Sequence, residues 1–449
     1  MAQLWHKGYD LDELVSRFTS GDDQKIDKKL VFYDCLGSIA HGAMLHKIQV
    51  LSTAEYQTLK QVLLDIIEQH KQEQFVFSHH DEDVHTAVEN AVTKMFGDGG
   101  KKMHTARSRN DQILLDMRLY MRDNVLDIAD TVAVLCTTLI ARAQELSAVP
   151  MPGRTHFQRA MPSSWGLLLG SYAESLADSM FLLQSAYTLV NQSPLGSAAS
   201  YGVPMPIDRA YVAQVLGFDR VQNNVLYANN SRGKIESVVL HALSQIMLDL
   251  AKMSTDFIIF STPEFGYVYL PEKLCTGSSL MPQKRNPDVL ELVRARSATV
   301  ISYLMQVFTI IRALPSGYNR DFQETKYPVF HSFALVHDAL ILCDYIVREM
   351  VVNVQTCIDA FSSDLFATDY ALQLVQKGIP FRQAYGDVAT HLDQIPSYDP
   401  VAYTQEMKHE GATGNLGLEK VTAFVGALSQ WSATARAHYE HAYAQLFDT

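Results

Sequence analysis

The chain has 449 residues, a formal net charge of −12 and 47% apolar residues, which gives it ample material for a large core. An acidic balance of that size argues against nucleic acid or an anionic membrane as partner, so any cluster of positive charge is local and purposeful. The five cysteines, Cys35, Cys136, Cys275, Cys343 and Cys357, are scattered, odd in number and lack C-x-x-C spacing, which fits reduced thiols better than a disulfide framework or a zinc site.

In chain order, the N-terminus "MAQLWHKGYDLDELVSRF" carries acids where a signal peptide needs an apolar run. No stretch reads as apolar for long enough to span a bilayer. The expectation is a soluble, cytoplasmic protein. Residues 1–107 read as a smaller helical domain. From Ser108 to Val149 there is neither Gly nor Pro, which allows a helix of up to roughly 60 Å at the usual rise. Ile113, Met117, Tyr120, Ile128, Leu135 and Leu139 recur near multiples of 3.6. Four more long runs follow, Trp165 to Gln192, Lys234 to Thr262, Asp288 to Leu314 and Val329 to Phe361. Pro162-Ser163-Ser164 and Asn286-Pro287-Asp288 supply start signals for two of them. Strand signals are weak, and Gly266 to Leu270 suits a small hairpin at most. Five long helices imply an all-α protein with a central bundle over 108–358. Runs such as "VVLHALSQIMLDLAKM" are apolar most of the way round, so the bundle is expected to extend across subunits. Residues 359–449 read as shorter helices broken by Gly378, Pro380, Pro396 and Gly411.

Several polar segments interrupt this pattern. "HTARSRNDQ" puts Ser108, Arg109 and Asn110 just before a long helix, where free N–H groups and the helix dipole favour an anion. The same residues also suit plain N-capping. "GRTHFQRAMPSS" places Thr155 and His156 in a polar loop, although a lone histidine is weak evidence for catalysis. "GSSLMPQKRNPD" brings Ser278 and Ser279 close to Lys284 and Arg285 between two prolines, and a solvated connector would also fit. "SGYNRDFQETK" offers Tyr318, Gln323 and Lys326 between two apolar helices. "SHHDEDVH" is rich in ligand types, His79, His80, Asp81, Glu82, Asp83 and His85, but its spacing matches no common metal motif. Acids at a helix start serve the dipole, so no metal is expected.

"GSSLMPQKRNP" resembles the G-S-S-x-M-P-x-K-x-N-P signature of the fumarase/aspartase superfamily. "SRNDQ", "THFQRAMP" and "YNRDFQETK" resemble its argininosuccinate lyase branch, in matching order from about Asp81 to Lys326. The resemblance implies a three-domain, all-α fold and a homotetramer whose active sites are shared between subunits. It implies a cofactor-free β-elimination of argininosuccinate to arginine and fumarate, in arginine biosynthesis. A base takes the proton beside a succinyl carboxylate, the carbanion is held as an aci-carboxylate, and the C–N bond breaks as nitrogen is protonated. By the same resemblance Ser278 is the base. Lys284 is the cation that lowers the serine's pKa and binds the developing charge. Thr155 and His156 sit near the leaving nitrogen, with His156 either the proton donor or its orienter, and Glu291 pairs with that histidine. Ser108, Arg109 and Asn110 match the fumarate-end grip. Tyr318, Gln323 and Lys326 match the arginine-end segment, and His85 a polar position of the same cleft.

Two departures stand out. Where the family commonly has a substrate-contacting Ser in an F-N-x-S stretch, "RFTSGDDQK" has Asp23, which is left out of the expected site. Where many members read S-D-R-D, "NNSRGKIE" keeps Arg232 as a carboxylate contact but loses the flanking acids. Other superfamily lyases, acting on adenylosuccinate, aspartate or malate, share the serine loop and are separated only by SRNDQ and YNRDFQETK. A structural lens crystallin shares the fold, but retention of Ser278, His156, Lys284 and Lys326 argues for an enzyme. A nucleic-acid binder is opposed by the lack of a basic stripe.

Overall fold

The computed structural model describes residues 12–78 and 81–448. His79 and His80 of the histidine-acid run, and the first eleven residues of the N-terminal stretch, lie outside them. Five long helices dominate: Arg109–Glu145, Trp165–Val190, Lys234–Ser261, Asp288–Ile311 and Lys326–Glu349. All five pack into one bundle, with Lys234–Ser261 lying along Asp288–Ile311 and Arg109–Glu145 along both Trp165–Val190 and Lys326–Glu349. The starts of the first two are capped by serines. Ser108 closes a capping box with Asp111, and the Ser164 hydroxyl accepts from the Leu167 N–H. The N-terminal helices Val31–Lys47 and Thr53–Lys71 pack on each other, and the first also reaches the Arg109 helix.

Two bundle segments, Arg109–Glu145 and Arg320–Glu349, are long and apolar enough to cross a membrane by length and composition, which corrects the expectation that none is. Both lie in the bundle core, where one carries the fully buried cations Arg118 and Arg122. Arg122 is held by the carbonyls of Leu216 (3.0 Å) and Gly217 (3.2 Å), by Asn191 and by the Tyr443 hydroxyl, so burying its charge does not leave it unpaired.

Four features differ from the sequence reading. The residues after the first long helix form an antiparallel hairpin, Pro150–Thr155 with Gln158–Ser164. Val268–Tyr269 does pair, but with the distant Val351–Val352 rather than in a local hairpin. The last bundle helix stops at Glu349, where the chain turns into that pairing. Finally, the C-terminal region is not built of short helices alone: Leu418–Asp448 is a 31-residue helix that packs back on the Arg109 and Trp165 helices. Its buried Leu418, Val421, Val425, Leu428, Ser432, Tyr439, Tyr443 and Leu446 form one stripe at three- and four-residue spacing, with a single seven-residue step from Ser432 to Tyr439. Residues around Phe366 make a small separate core with Leu365, Val388, Ile395 and Tyr403.

Candidate active site

The elements before and after the bundle converge on a cavity of about 200 Å³. Seven of the expected residues line it: His85, Arg109, Asn110, Arg232, Tyr318, Gln323 and Lys326. They come from the start of the Val84–Phe96 helix, the start of the Arg109 helix, the turn before Lys234–Ser261 and the segment that runs into Lys326–Glu349. Asp23, Asp27, Glu82, Asp83 and Arg320 complete the polar lining.

Most cations in this cavity are already paired by the protein. Lys326 is buried and meets Asp27 at 2.7 Å and Asp23 at 2.9 Å. Burial opposes its charge, but the two carboxylates outweigh it and hold its pKa above the usual value. Arg109 donates to Glu82 (3.2 Å), Asp83 (3.3 Å) and Thr86 (2.8 Å), which fixes its guanidinium in the cavity wall. Asp83 also caps the Val84–Phe96 helix by accepting from the Thr86 N–H. Burial pushes its pKa up, yet His85, Arg109 and the Thr86 bonds prevail and bring it down to about 2. Arg320 bonds Glu82 (2.9 Å) and the Thr19 carbonyl (2.7 Å). Glu82 and Asp83 of the "SHHDEDVH" run therefore anchor arginines, whereas Asp81 accepts from the Ser78 N–H and from Asn90. Arg232 differs from the others. Its guanidinium donates to the Phe322 carbonyl at 3.3 Å and lies over the rings of Tyr318 and Phe322, with no carboxylate partner among the described residues.

Asp23, left out of the expected site, belongs to this lining. Its carboxylate is raised from 3.8 to about 6, because burial outweighs the attraction of Lys326, and Asp27 adds to the rise. Beneath the cavity His85 Nδ1 lies 2.5 Å from Asp34, which also accepts from Gln112 at 2.8 Å. Asp116 lies beside them at 3.6 Å, and burial followed by the Asp34 charge raises its carboxyl well above the usual range. The three offer donor atoms within 4.8 Å of one another. A 2.5 Å separation is a hydrogen bond, however, and two ligands of one ion stand roughly 3 Å or more apart. The contact with Asp34 fixes the orientation of the His85 ring.

The remaining expected residues lie elsewhere. Ser108 is the helix cap: its hydroxyl accepts from the Asn110 N–H, and it is not among the cavity-lining residues. Thr155 and His156 are exposed at the hairpin tip, where Thr155 pairs with Gln158 across a two-residue turn. Both turn residues, His156 (φ 54°) and Phe157 (φ 60°), sit in the left-handed region that such a turn demands and that bulky residues avoid. Ser278 and Lys284 lie in a seven-residue loop closed by the pairing of Thr276–Gly277 with Arg285–Asn286. Arg285 anchors its base to Tyr269 (2.7 Å) and Glu272 (2.8 Å), and the tip is open, with Leu280 84% exposed. Within it the Ser278 Oγ accepts from the N–H groups of Leu280 (3.2 Å) and Met281 (3.0 Å). Glu291 is exposed in the first turn of Asp288–Ile311.

A family described simply as lyase matches residues 10–302. An argininosuccinate lyase of Thermotoga neapolitana is 42% identical over 387 residues, 86% of this chain and 97% of that protein. The chain belongs to the argininosuccinate lyase family. Another member, from Bacteroides fragilis, is 40% identical over 427 residues and covers 95% of each chain. Similarity to solved structures extends the family fold to more distant lyases. An EDDS lyase bound to formate superimposes with a TM-score of 0.82 over 98% of this chain and 95% of that one, at 21% identity. A class II fumarase from Schistosoma mansoni superimposes with a TM-score of 0.72 over 88% and 95%, at 17% identity. These last two speak for the helical fold alone.

Proposed function

We propose that this chain splits argininosuccinate into arginine and fumarate as a cytoplasmic homotetramer. Each active site combines the cavity of one chain, the His156 hairpin of a second and the Ser278 loop of a third. The observation that carries this reading is the division of the expected residues between one cavity and two exposed tips. A base on an open loop and a histidine on an open turn need a surface to close on. The bundle supports an assembly as well: Leu248, Leu292, Met305 and Phe308 are exposed on helices that otherwise pack tightly. The proposed domains are 1–107, 108–358 and 359–449, with the central one forming the subunit contacts.

Ser278 removes the proton from the carbon beside the succinyl carboxylate. The two N–H groups aimed at its Oγ favour the deprotonated oxygen, and Lys284, six residues on in the same loop, adds positive charge when the loop closes. The charge that develops on the carboxylate is met by Lys284 and by Asn110 at the positive end of the Arg109 helix. His156, paired with Glu291 of a neighbouring subunit, gives or directs the proton that the leaving guanidino nitrogen takes as the C–N bond breaks. Closure excludes water and strengthens each of these interactions.

The test is to mix two dead enzymes. His156→Asn and Ser278→Ala chains are unfolded, combined in equal amounts and refolded. Under closed tetramer symmetry roughly one site in four receives both intact residues. Activity should return to about a quarter of wild type. No recovery from a verified mixed tetramer would refute the shared site.

A further inference from the structure

We propose that Asp34 is a positioning residue for the reaction: it keeps the proton of the His85 ring on Nδ1, so that the lone pair of Nε2 faces the cavity and accepts a hydrogen bond from an N–H of the bound substrate. The inference rests on the argininosuccinate reading for the identity of that substrate, and on the packing beneath the cavity for everything else. Asp34 is not among the cavity-lining residues. It lies fully buried on the Val31–Lys47 helix. Gln112 and Asp116 stand four residues apart on the Arg109 helix, so they share the face that meets Asp34. His85, in the first turn of the Val84–Phe96 helix, touches both this buried cluster and the cavity.

The contacts of the ring decide its tautomer. An imidazole nitrogen that faces a carboxylate oxygen is the one that carries hydrogen. His85 Nδ1 faces two such oxygens, Asp34 Oδ2 at 2.5 Å and Asp116 Oδ2 at 3.6 Å. Asp34 Oδ2 also accepts from Gln112 Nε2 at 2.8 Å, so one oxygen receives two hydrogens, as a carboxylate oxygen does. With Nδ1 committed to buried groups, Nε2 is the nitrogen left for a ligand, and in the neutral ring it is an acceptor. Arg109, Arg232, Arg320 and Lys326 of the same lining only donate. His85 therefore adds a neutral acceptor to a wall rich in donors, and argininosuccinate carries N–H groups on its guanidino and ammonium centres.

The tautomer is read directly from solid-state nitrogen-15 spectra of sedimented, histidine-labelled protein, with the His85 signals assigned by their loss in His85→Gln. Wild type should show hydrogen on Nδ1 and a bare Nε2. Asp34→Leu has no acceptor, so the proton should redistribute to Nε2 and kcat/KM for argininosuccinate should fall roughly a hundredfold, the scale of a buried polar group left without its partner. Asp34→Asn keeps an oxygen that Gln112 holds toward Nδ1, so the wild-type tautomer should persist and kcat/KM should stay within about tenfold of wild type. In a His85→Gln background Asp34→Leu should cost no more than about twofold further, because the residue it acts through is gone. Hydrogen on Nε2 in wild type, alone or with Nδ1, would overturn the proposal, and so would an Asp34→Leu loss of equal size in both backgrounds, which would make Asp34 a packing residue. Should Asp34→Leu fail to fold, the wild-type and Asp34→Asn spectra still decide. A wild-type enzyme with the expected tautomer that does not cleave argininosuccinate would instead overturn the functional reading beneath it.

Discussion

Lys326→Met removes the one cation that Asp23 and Asp27 share, and its cost can be worked from the geometry. Methionine nearly matches the volume of the buried stem, so the packing survives. Two carboxylates that stood 2.9 and 2.7 Å from an ammonium are left facing each other inside the protein. Breaking a buried pair in this way costs about 3–5 kcal/mol. Part of that is recovered by protonation. With Lys326 present, Asp23 titrates at about 6 in the fold against 3.8 as its ordinary value. The folded pKa is the raised one, so the fold binds the proton more tightly, and the stability this contributes is present below 3.8 and lost as pH rises through 6. Without Lys326 the folded value moves higher still and the loss continues past neutrality. The variant should therefore be about 3 kcal/mol less stable than wild type near pH 7 and closer to it near pH 5. Adding Asp23→Asn should restore part of the loss near pH 7. The assay is urea unfolding at fixed protomer concentration, since assembly makes stability concentration-dependent. A deficit that is the same at both pH values, or an Asp23→Asn change that adds its own loss, would refute the reasoning.

Ser278→Ala should abolish fumarate release while circular dichroism stays unchanged, and Ser279→Ala should keep activity; the reverse pattern would transfer the base to Ser279. Lys284→Met should lower kcat/KM by roughly a hundredfold, about 3 kcal/mol of transition-state stabilisation and the scale of one preorganised donor; an unchanged kcat would make it a solvated loop lysine. Gly217→Ala should destabilise the protein by more than about 2 kcal/mol, because residue 217 has φ 65° and an added Cβ would stand 2.6 Å from the Tyr439 backbone. A near-neutral thermal shift in that variant would mean that the C-terminal helix is not held against the bundle there.

The long helices were legible because their signals are local. Ser108 with Asp111, and apolar positions such as Ile113, Met117 and Tyr120, all lie within one stretch of chain. The hairpin was not. Pro150, Pro152, Gly153 and Pro162 argue against strand, and a tight turn made of His156 and Phe157 lacks the Gly or Asn that announces one. The C-terminal helix did have a legible stripe from Leu418 to Leu446, but the glycines and prolines upstream of it suggested continued breaks. In the site, motif residues such as Asn110 and Lys326 could be named from sequence because each sits in a recognisable segment. Their partners could not. Asp27 meets Lys326 across 299 residues, and Arg109 pairs with Glu82 and Asp83 ahead of another helix. Pairing at that range is decided by the packing of the bundle, which a reading of local pattern does not contain.

Two polar segments bear on the choice of substrate, SRNDQ and YNRDFQETK. Both of these contribute to the cavity, as Arg109, Asn110, Tyr318, Gln323 and Lys326. The most direct measurement is a steady-state assay of fumarate release, followed by its ultraviolet absorbance, with argininosuccinate and adenylosuccinate run side by side on the wild-type protein. The account predicts saturable turnover of argininosuccinate and none of adenylosuccinate above background. Turnover of adenylosuccinate instead, or of neither substrate by a properly assembled enzyme, would contradict it.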